Sequence, residues 1–264
     1  MKKLAVLVFV LAGLSAFAAT CVIRNVGETE IDGDLVYGAE MRNETTLNML
    51  NHRFLVGFID DDGEVINTKN ATQCSRTMQA NASNYYSADS GVDPDDVDVV
   101  LSRMIIDSGL KLGIALASDL EISNVVAVRD GDDVRVTGTV KNDGNDDYED
   151  VIVCIVIFND QDDVVIVVLE DEFDLDSDDS QSFSVTVGVT DDDDDSDRVL
   201  VVADAVNADE NDQFTKPVSQ AEDVDACTAN TATPTGTSTA TATATNTSTP
   251  VTATATKTPN PAAC

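Results

Sequence analysis

The sequence predicts an all-β protein. It has two tandem β-sandwich domains, preceded by a signal peptide and followed by a disordered tail. Three observations predict it. Sliding the 264-residue chain by 99 residues brings similar apolar, Asn and Gly positions into step across its middle. Within each copy, short apolar or alternating segments recur between clusters of Asp, Asn, Gly and Ser, the punctuation of strands and turns. Composition changes abruptly at both ends.

Residues 1–18 read as a secretory signal. Lys2 and Lys3 precede an apolar stretch from Leu4 to Leu14, too short to span a bilayer, and Ala16-Phe17-Ala18 is a small-x-small cleavage site. A lipoprotein signal with Cys21 as the lipidated residue is the rival. Ala18-Ala19-Thr20-Cys21 lacks the Leu and the small residue before Cys that such signals carry.

The duplication sets Ile23-Arg24-Asn25-Val26 on Ile122-Ser123-Asn124-Val125, and Met41-Arg42-Asn43 on Val140-Lys141-Asn142. It continues with Phe58-Ile59-Asp60-Asp61 on Ile157-Phe158-Asn159-Asp160. After a two-residue slip, Ser83-Asn84-Tyr85-Tyr86 meets Ser180-Gln181-Ser182-Phe183. The domains are placed at 22–107 and 121–206, joined by a linker at 108–120 in which Leu110 to Leu120 has a helical look. An acidic connector covers 207–227.

In the second domain, Val134, Val136 and Val140 keep even spacing with polar residues between, so one face is buried. Val151 to Phe158 is a continuous apolar run rich in β-branched residues, and Val164 to Leu169 returns as its hairpin partner. This hairpin reads as the central core hairpin of its own sandwich; a run buried on both faces, the outer one by a neighbouring domain or subunit, is the sharper alternative. Flanking Asp residues would act as gatekeepers against edge-to-edge pairing. Ser182 to Val189 and Arg198 to Val206 are expected as a second hairpin across an Asp191–Asp197 loop.

Residues 228–264 place Thr at every odd position from Thr231 to Thr249, with Ala, Pro, Gly, Ser and Asn between. Such a tract has too little to bury to offset its ordering entropy, and reads as a disordered, O-glycosylated stalk or an unmodified tail.

Several elements resemble a known family. Gly138-Thr139-Val140-Lys141-Asn142 precedes the long apolar strand. A hairpin from Asp160 to Val165 follows, and then Leu175 to Phe183 with its Asp-Asp-Ser-x-Ser-Phe ending. The pattern resembles FxLYD-type and CARDB-like immunoglobulin-like domains of exported bacterial and archaeal proteins. The first copy departs more: Gly38 falls one position early, and Tyr86 stands where Phe183 does. The resemblance implies immunoglobulin-like sandwiches used for adhesion, spacing or assembly, with no catalytic residues to carry over.

Charge narrows the role. The chain has 49 acids against 15 Lys and Arg, a net charge of −34. Phosphate neutralisation needs a basic surface, so nucleic acid and anionic membranes are excluded as partners. The acids gather where turns are expected: Asp60, Asp61 and Asp62; Asp143, Asp146 and Asp147; Asp160, Asp162 and Asp163; and Asp191, Asp192, Asp193, Asp195 and Asp197. Ca²⁺ takes several carboxylate and carbonyl oxygens, so these loops are candidate Ca²⁺ ligands, although none has EF-hand spacing. Diffuse acidity for solubility in high salt is the competing reading.

The single His, His52, is expected at a surface or edge; a general base would need a nucleophile and an orienting acid beside it. Asp pairs in solvated loops do not suit glycosidase chemistry, and the absence of Trp disfavours sugar binding. The cysteines are Cys21, Cys74, Cys154, Cys227 and Cys264, with no metal spacing. Cys154 is expected as a buried free thiol, and Cys21 with Cys74 as a candidate pair. The expectation is an exported, non-enzymatic cell-surface or extracellular protein with a structural or adhesive role, presenting two acidic domains on a stalk to an unknown protein or cell-surface partner. A Ca²⁺-dependent binding module and a passive acidic spacer of a salt-adapted organism are the alternatives. Oligomeric state stays open.

Overall fold

The computed structural model describes residues 21–31, 33–105, 111–170, 172–189, 198–207 and 213–226. The signal at 1–18, the stalk at 228–264, the Asp191–Asp197 loop, Cys227 and Cys264 lie outside them. The described chain is all-β, with no α-helix and one 3₁₀ turn at Pro94–Asp96.

The first half contains β1 (Cys21–Ile31), β2 (Asp34–Asn43), β3 (Met49–Leu50), β4 (Arg53–Ile59), β5 (Val65–Asn70), β6 (Thr72–Gln73), β7 (Thr77–Met78), β8 (Ser83–Asp89) and β9 (Val99–Ile105). Two short bridges follow, β10 (Lys111–Leu112) and β11 (Leu116–Ala117). The second half contains β12 (Leu120–Asp130), β13 (Asp133–Asn142), β14 (Tyr148–Phe158), β15 (Val164–Leu169), β16 (Phe173–Leu175), β17 (Ser180–Gly188), β18 (Arg198–Asn207), β19 (Gln213–Thr215) and β20 (Val218–Ala226).

The order of elements recurs, and so do details that fix them. The β1–β2 ladder slips between Arg24 and Gly27, with Asn25 at φ 47°; the β12–β13 ladder slips between Ser123 and Val126, with Asn124 at φ 54°. Asn tolerates this left-handed conformation better than most residues, which accounts for Asn at both bulges. Buried Asn43 donates to the Leu47 and Gln79 carbonyls and accepts from Thr45 N–H. Ninety-nine residues on, buried Asn142 donates to the Asp146 and Asp176 carbonyls and accepts from Gly144 N–H. Each Asn thus ties two loops of its half together with a single buried amide.

In each half, sheets face one another across an apolar layer, a β-sandwich-like arrangement. In the second half β17, β13 and β12 form one side, and β16, β14 and β18 the other. Val134, Val136, Val140, Phe183, Val185, Val153, Ile155, Val199 and Val201 fill the space between. The first half packs Leu35, Tyr37, Met41, Phe54, Val56, Phe58, Tyr86 and Val100 in the same manner, from β1–β2–β8 against β5–β4–β9.

Four expectations need correction. Ser182–Val189 and Arg198–Val206 do not form a hairpin: β17 pairs with β13, and β18 with β14. Both strands point Val residues into the same core from opposite sides, so they must belong to opposite layers. The linker segment 111–120 is not helical. Lys111–Leu112 pairs with β3 and Leu116–Ala117 with β19, so strand edges on both sides claim its backbone. The acidic connector holds β19 and β20. β20 runs antiparallel to β18 and parallel to β12 at Ala127–Arg129, covering edges of both layers. Its Glu222, Asp223 and Asp225 mask strand character, because an acidic segment without an apolar run reads as a linker.

The run Val151–Phe158 also departs from expectation. Every residue of this run is buried. Val151, Val153, Ile155 and Ile157 face the core of the second half, whereas Cys154, Val156 and Phe158 face a separate cluster shared with the first half. The strand is therefore buried on both faces, and the reading as a one-sided core hairpin is set aside.

Candidate functional site

The buried joint between the halves gathers a disulfide, a buried carboxylate and a buried imidazole among the described residues. β15 forms a hairpin with β14, and its first residue pairs in parallel with β1 at Val26. The approach is close: a Cβ on either Gly27 or Gly38 would fall 2.3 Å from the Val164 carbonyl oxygen. Glycine is required at both positions because the backbone of the other half occupies that space. Ser87 Oγ donates to the Val167 carbonyl and accepts from its N–H, both at 3.2 Å. Val164, Val167 and Val202 pack there with Phe158, whose ring also meets Tyr85 edge-on.

The same layer holds a disulfide between Cys74 and Cys154, with Cα atoms 5.1 Å apart. The expected free thiol at Cys154 and the Cys21–Cys74 pair are both overturned. Position 154 lies on the joint face of β14, opposite the segment after β6, while Cys21 lies in the first core. Cys21 is a buried free thiol, pushed up to about 11 by burial and, secondarily, by Glu44.

Beside the disulfide, Asp204 is 1% exposed. Its Oδ2 accepts from Ser75 Oγ at 2.7 Å and Arg76 N–H at 2.9 Å, and its Oδ1 lies 3.1 Å from Thr215 Oγ1. These donors are neutral groups from both halves. Burial raises the carboxyl's pKa above the ordinary range, and the Ser75, Arg76 and Thr215 hydrogen bonds oppose the rise. The Arg76 guanidinium turns outward to Glu172 and, at 3.8 Å, Asp150.

The network continues into the first half. Asn84 Nδ2 donates to the Ser75 carbonyl at 2.8 Å and lies 2.6 Å from His52 Nε2. His52 is fully buried, which corrects its expected surface or edge position. The residue 99 positions on, Val151, is likewise a core position, so the place of His52 in its half dictates burial. Burial lowers the His52 pKa to about 4, and Nδ1 has no hydrogen-bond partner. Ser75, His52 and Asp204 share one network, yet the imidazole faces Asn84 rather than the Ser75 hydroxyl, so no activated nucleophile is assembled.

The acidic loops are placed separately. Asp60, Asp61 and Asp62 form the β4–β5 turn, Asp143, Asp146 and Asp147 the β13–β14 turn, and Asp160, Asp162 and Asp163 the β14–β15 turn. Asp60 Oδ1 accepts Asp62 N–H at 3.1 Å and Glu64 N–H at 2.8 Å. Asn159, its counterpart, accepts Gln161 N–H at 3.1 Å and Asp163 N–H at 2.8 Å. An amide replaces the carboxylate and makes the same turn, so the turn needs an acceptor rather than a charge. Asp143 pairs with Lys141, Asp147 caps Ser177 N–H at 2.8 Å, and Asp162 meets Arg198 at 2.7 Å. Burial and then Asp162 raise the Asp163 pKa. Among the described residues, no three His, Cys, Asp or Glu side chains gather to hold a metal ion. Asp191, Asp192, Asp193, Asp195 and Asp197 lie outside the described residues.

Sequence reasoning missed Ser75, Asn84 and Asp204. One signal was available: Asp204 is a lone acid inside the apolar strand Val199–Val206.

No protein-family model and no curated protein matches the chain. Among solved structures, a β-glucuronidase from Bacteroides uniformis aligns at 10% identity and TM-score 0.27, over 72% of this chain and 26% of that one. Red sea bream transglutaminase aligns at 9% identity and TM-score 0.25, over 78% and 31%. A β-glucuronidase of glycoside hydrolase family 2 aligns at 8% and TM-score 0.29, over 74% and 24%. The chain spans under a third of each of these enzymes, and likeness at such scores carries no argument.

Proposed function

We propose that the chain is an exported, non-enzymatic surface or extracellular protein that presents two acidic immunoglobulin-like sandwiches, fused back to side, on a Thr-rich stalk. The observation that carries this reading is the joint. Its disulfide, its buried Asp204 and its paired glycines are spent on holding two recurring units at one fixed angle. That is a use of polar groups suited to a spacer or adhesin. The disulfide also suits an oxidising compartment outside the cytosol. The resemblance to exported FxLYD-type and CARDB-like domains supports the same role.

The acidic surface then serves solubility and keeps copies apart through like-charge repulsion. Asp60, which caps its own turn, and Asp147, which caps Ser177 N–H, support this reading over dedicated Ca²⁺ sites. Protease treatment of intact cells tests the proposal. Cleavage of the full chain without lysis, with release of a compact fragment ending near Ala226, is the expected result. A chain protected until lysis would contradict it.

A further inference from the structure

We propose that the Cys74–Cys154 disulfide makes the joint a tension clamp, so that a chain pulled from its two ends keeps the residues between these cysteines out of the path of force. The bridge links positions separated by 80 residues. Tension entering through β1 passes along the chain to Cys74, crosses the bridge, and leaves through Cys154 towards β20. The bypassed loop contains β7 to β13 and the first part of β14, drawn from both halves. Neither half can therefore be drawn out to its full length while the bridge is closed. At most about 3.6 Å of extension per residue, the clamp withholds about 290 Å.

The surroundings of the bridge add a second element. Both sulfurs belong to fully buried residues, packed with Val156, Phe158, Val164 and Val167. The Asp204 bonds to Ser75 and Arg76 close over the segment immediately after Cys74. A thiolate cannot reach either sulfur until the halves separate. Force must first open the joint; only then can a dithiol act. Its thiolate attacks one cysteine sulfur to form a mixed disulfide and expels the other as a thiolate. Its second thiol then closes a cyclic disulfide. The dithiol is oxidised by two electrons, both cysteines end as thiols, and the withheld length is released. The biological use of the clamp rests on the surface-presentation reading, but the mechanical behaviour does not, and protease treatment of intact cells reports on the former alone.

The test is single-molecule extension of the oxidised full chain held at its termini, with and without dithiothreitol. Without reductant, complete unfolding should stop about 290 Å short of the length reached by the Cys74→Ser/Cys154→Ser double variant. With dithiothreitol, wild type should gain that length in one step, and only after the first opening event. Should the double variant fail to fold, the wild-type comparison and non-reducing peptide mapping, with the Cys74 and Cys154 peptides joined, carry the test. Equal extension with and without reductant, unlinked peptides, or a reductant-dependent gain before any opening event would overturn the proposal.

Discussion

β5 and β15 hold the same place in the two halves, 99 residues apart, and differ in almost every respect. β5 reads Val-Ile-Asn-Thr-Lys-Asn and leaves Val65 63% exposed; β15 reads Val-Val-Ile-Val-Val-Leu and buries Val164 completely. Each is the hairpin partner of the strand before it. What differs is what lies beyond. β15 receives β1, β2 and β8 of the first half, and apolar side chains on its outer face are the response. The glycines show the converse. Gly27 and Gly38 stand where the second half carries Val126 and Thr137, because only the first half must admit a foreign backbone. Asymmetry between the two halves therefore marks where one meets the other.

The sharpest way to break this comparison is a charge at the paired positions. Val164→Lys buries an ammonium with no partner and should cost about 4 kcal/mol or more, to the point of lost folding, whereas Val65→Lys should stay within about 0.5 kcal/mol in denaturant titration. Similar costs at the two sites would dissolve the distinction. Next in size, Gly27→Ala and Gly38→Ala should each cost about 1–3 kcal/mol by forcing the joint apart, while Val126→Ala, at an exposed site, should cost well under 1 kcal/mol.

Acid should separate the two halves by sign. His52 prefers to be neutral in the folded state, so its contribution falls away as pH drops from about 6.5, where the unfolded side chain gains a proton, towards about 4. The full loss approaches about 3 kcal/mol, and His52→Phe should remove it from melts taken between pH 7 and pH 4. Asp204 has the opposite sense. Its folded pKa is raised, so its contribution is complete below the unfolded value of about 3.9 and is lost as pH rises through the folded value. Asp204→Asn should flatten that limb of the stability curve; an unchanged pH profile in either variant would contradict the assignment.

The smallest effect concerns the turns. Asp60→Ala and Asn159→Ala should cost alike, about 1 kcal/mol each, and equally in chelator and in CaCl₂ at matched ionic strength. A Ca²⁺-dependent cost confined to Asp60 would assign that loop a metal role.

Much of the fold is legible in the sequence because each strand announces its own layer. Val134, Val136 and Val140 give the period of β13, and Asn25, Asn124, Asn43 and Asn142 mark bulges and loop plugs in both halves. The joint is less legible for a physical reason. Cys74 meets Cys154, and Asp204 meets Ser75, across long stretches of chain, so nothing adjacent in sequence reports their partners. On β18, Leu200, Val202 and Asp204 share the face turned away from the second core. An acid in that row looks solvated until donors from Ser75, Arg76 and Thr215 are supplied from elsewhere. The same holds for His52, whose polar type suggests exposure while its place in the repeat demands burial. β20 hides because its acids resemble charge in a linker.

The central claim is that the joint makes one body of two recurring units. Scanning calorimetry of the oxidised full chain tests it most directly. The account predicts a single unfolding transition whose calorimetric and van't Hoff enthalpies agree. Two separate transitions, with each half melting at its own temperature under oxidising conditions, would contradict it.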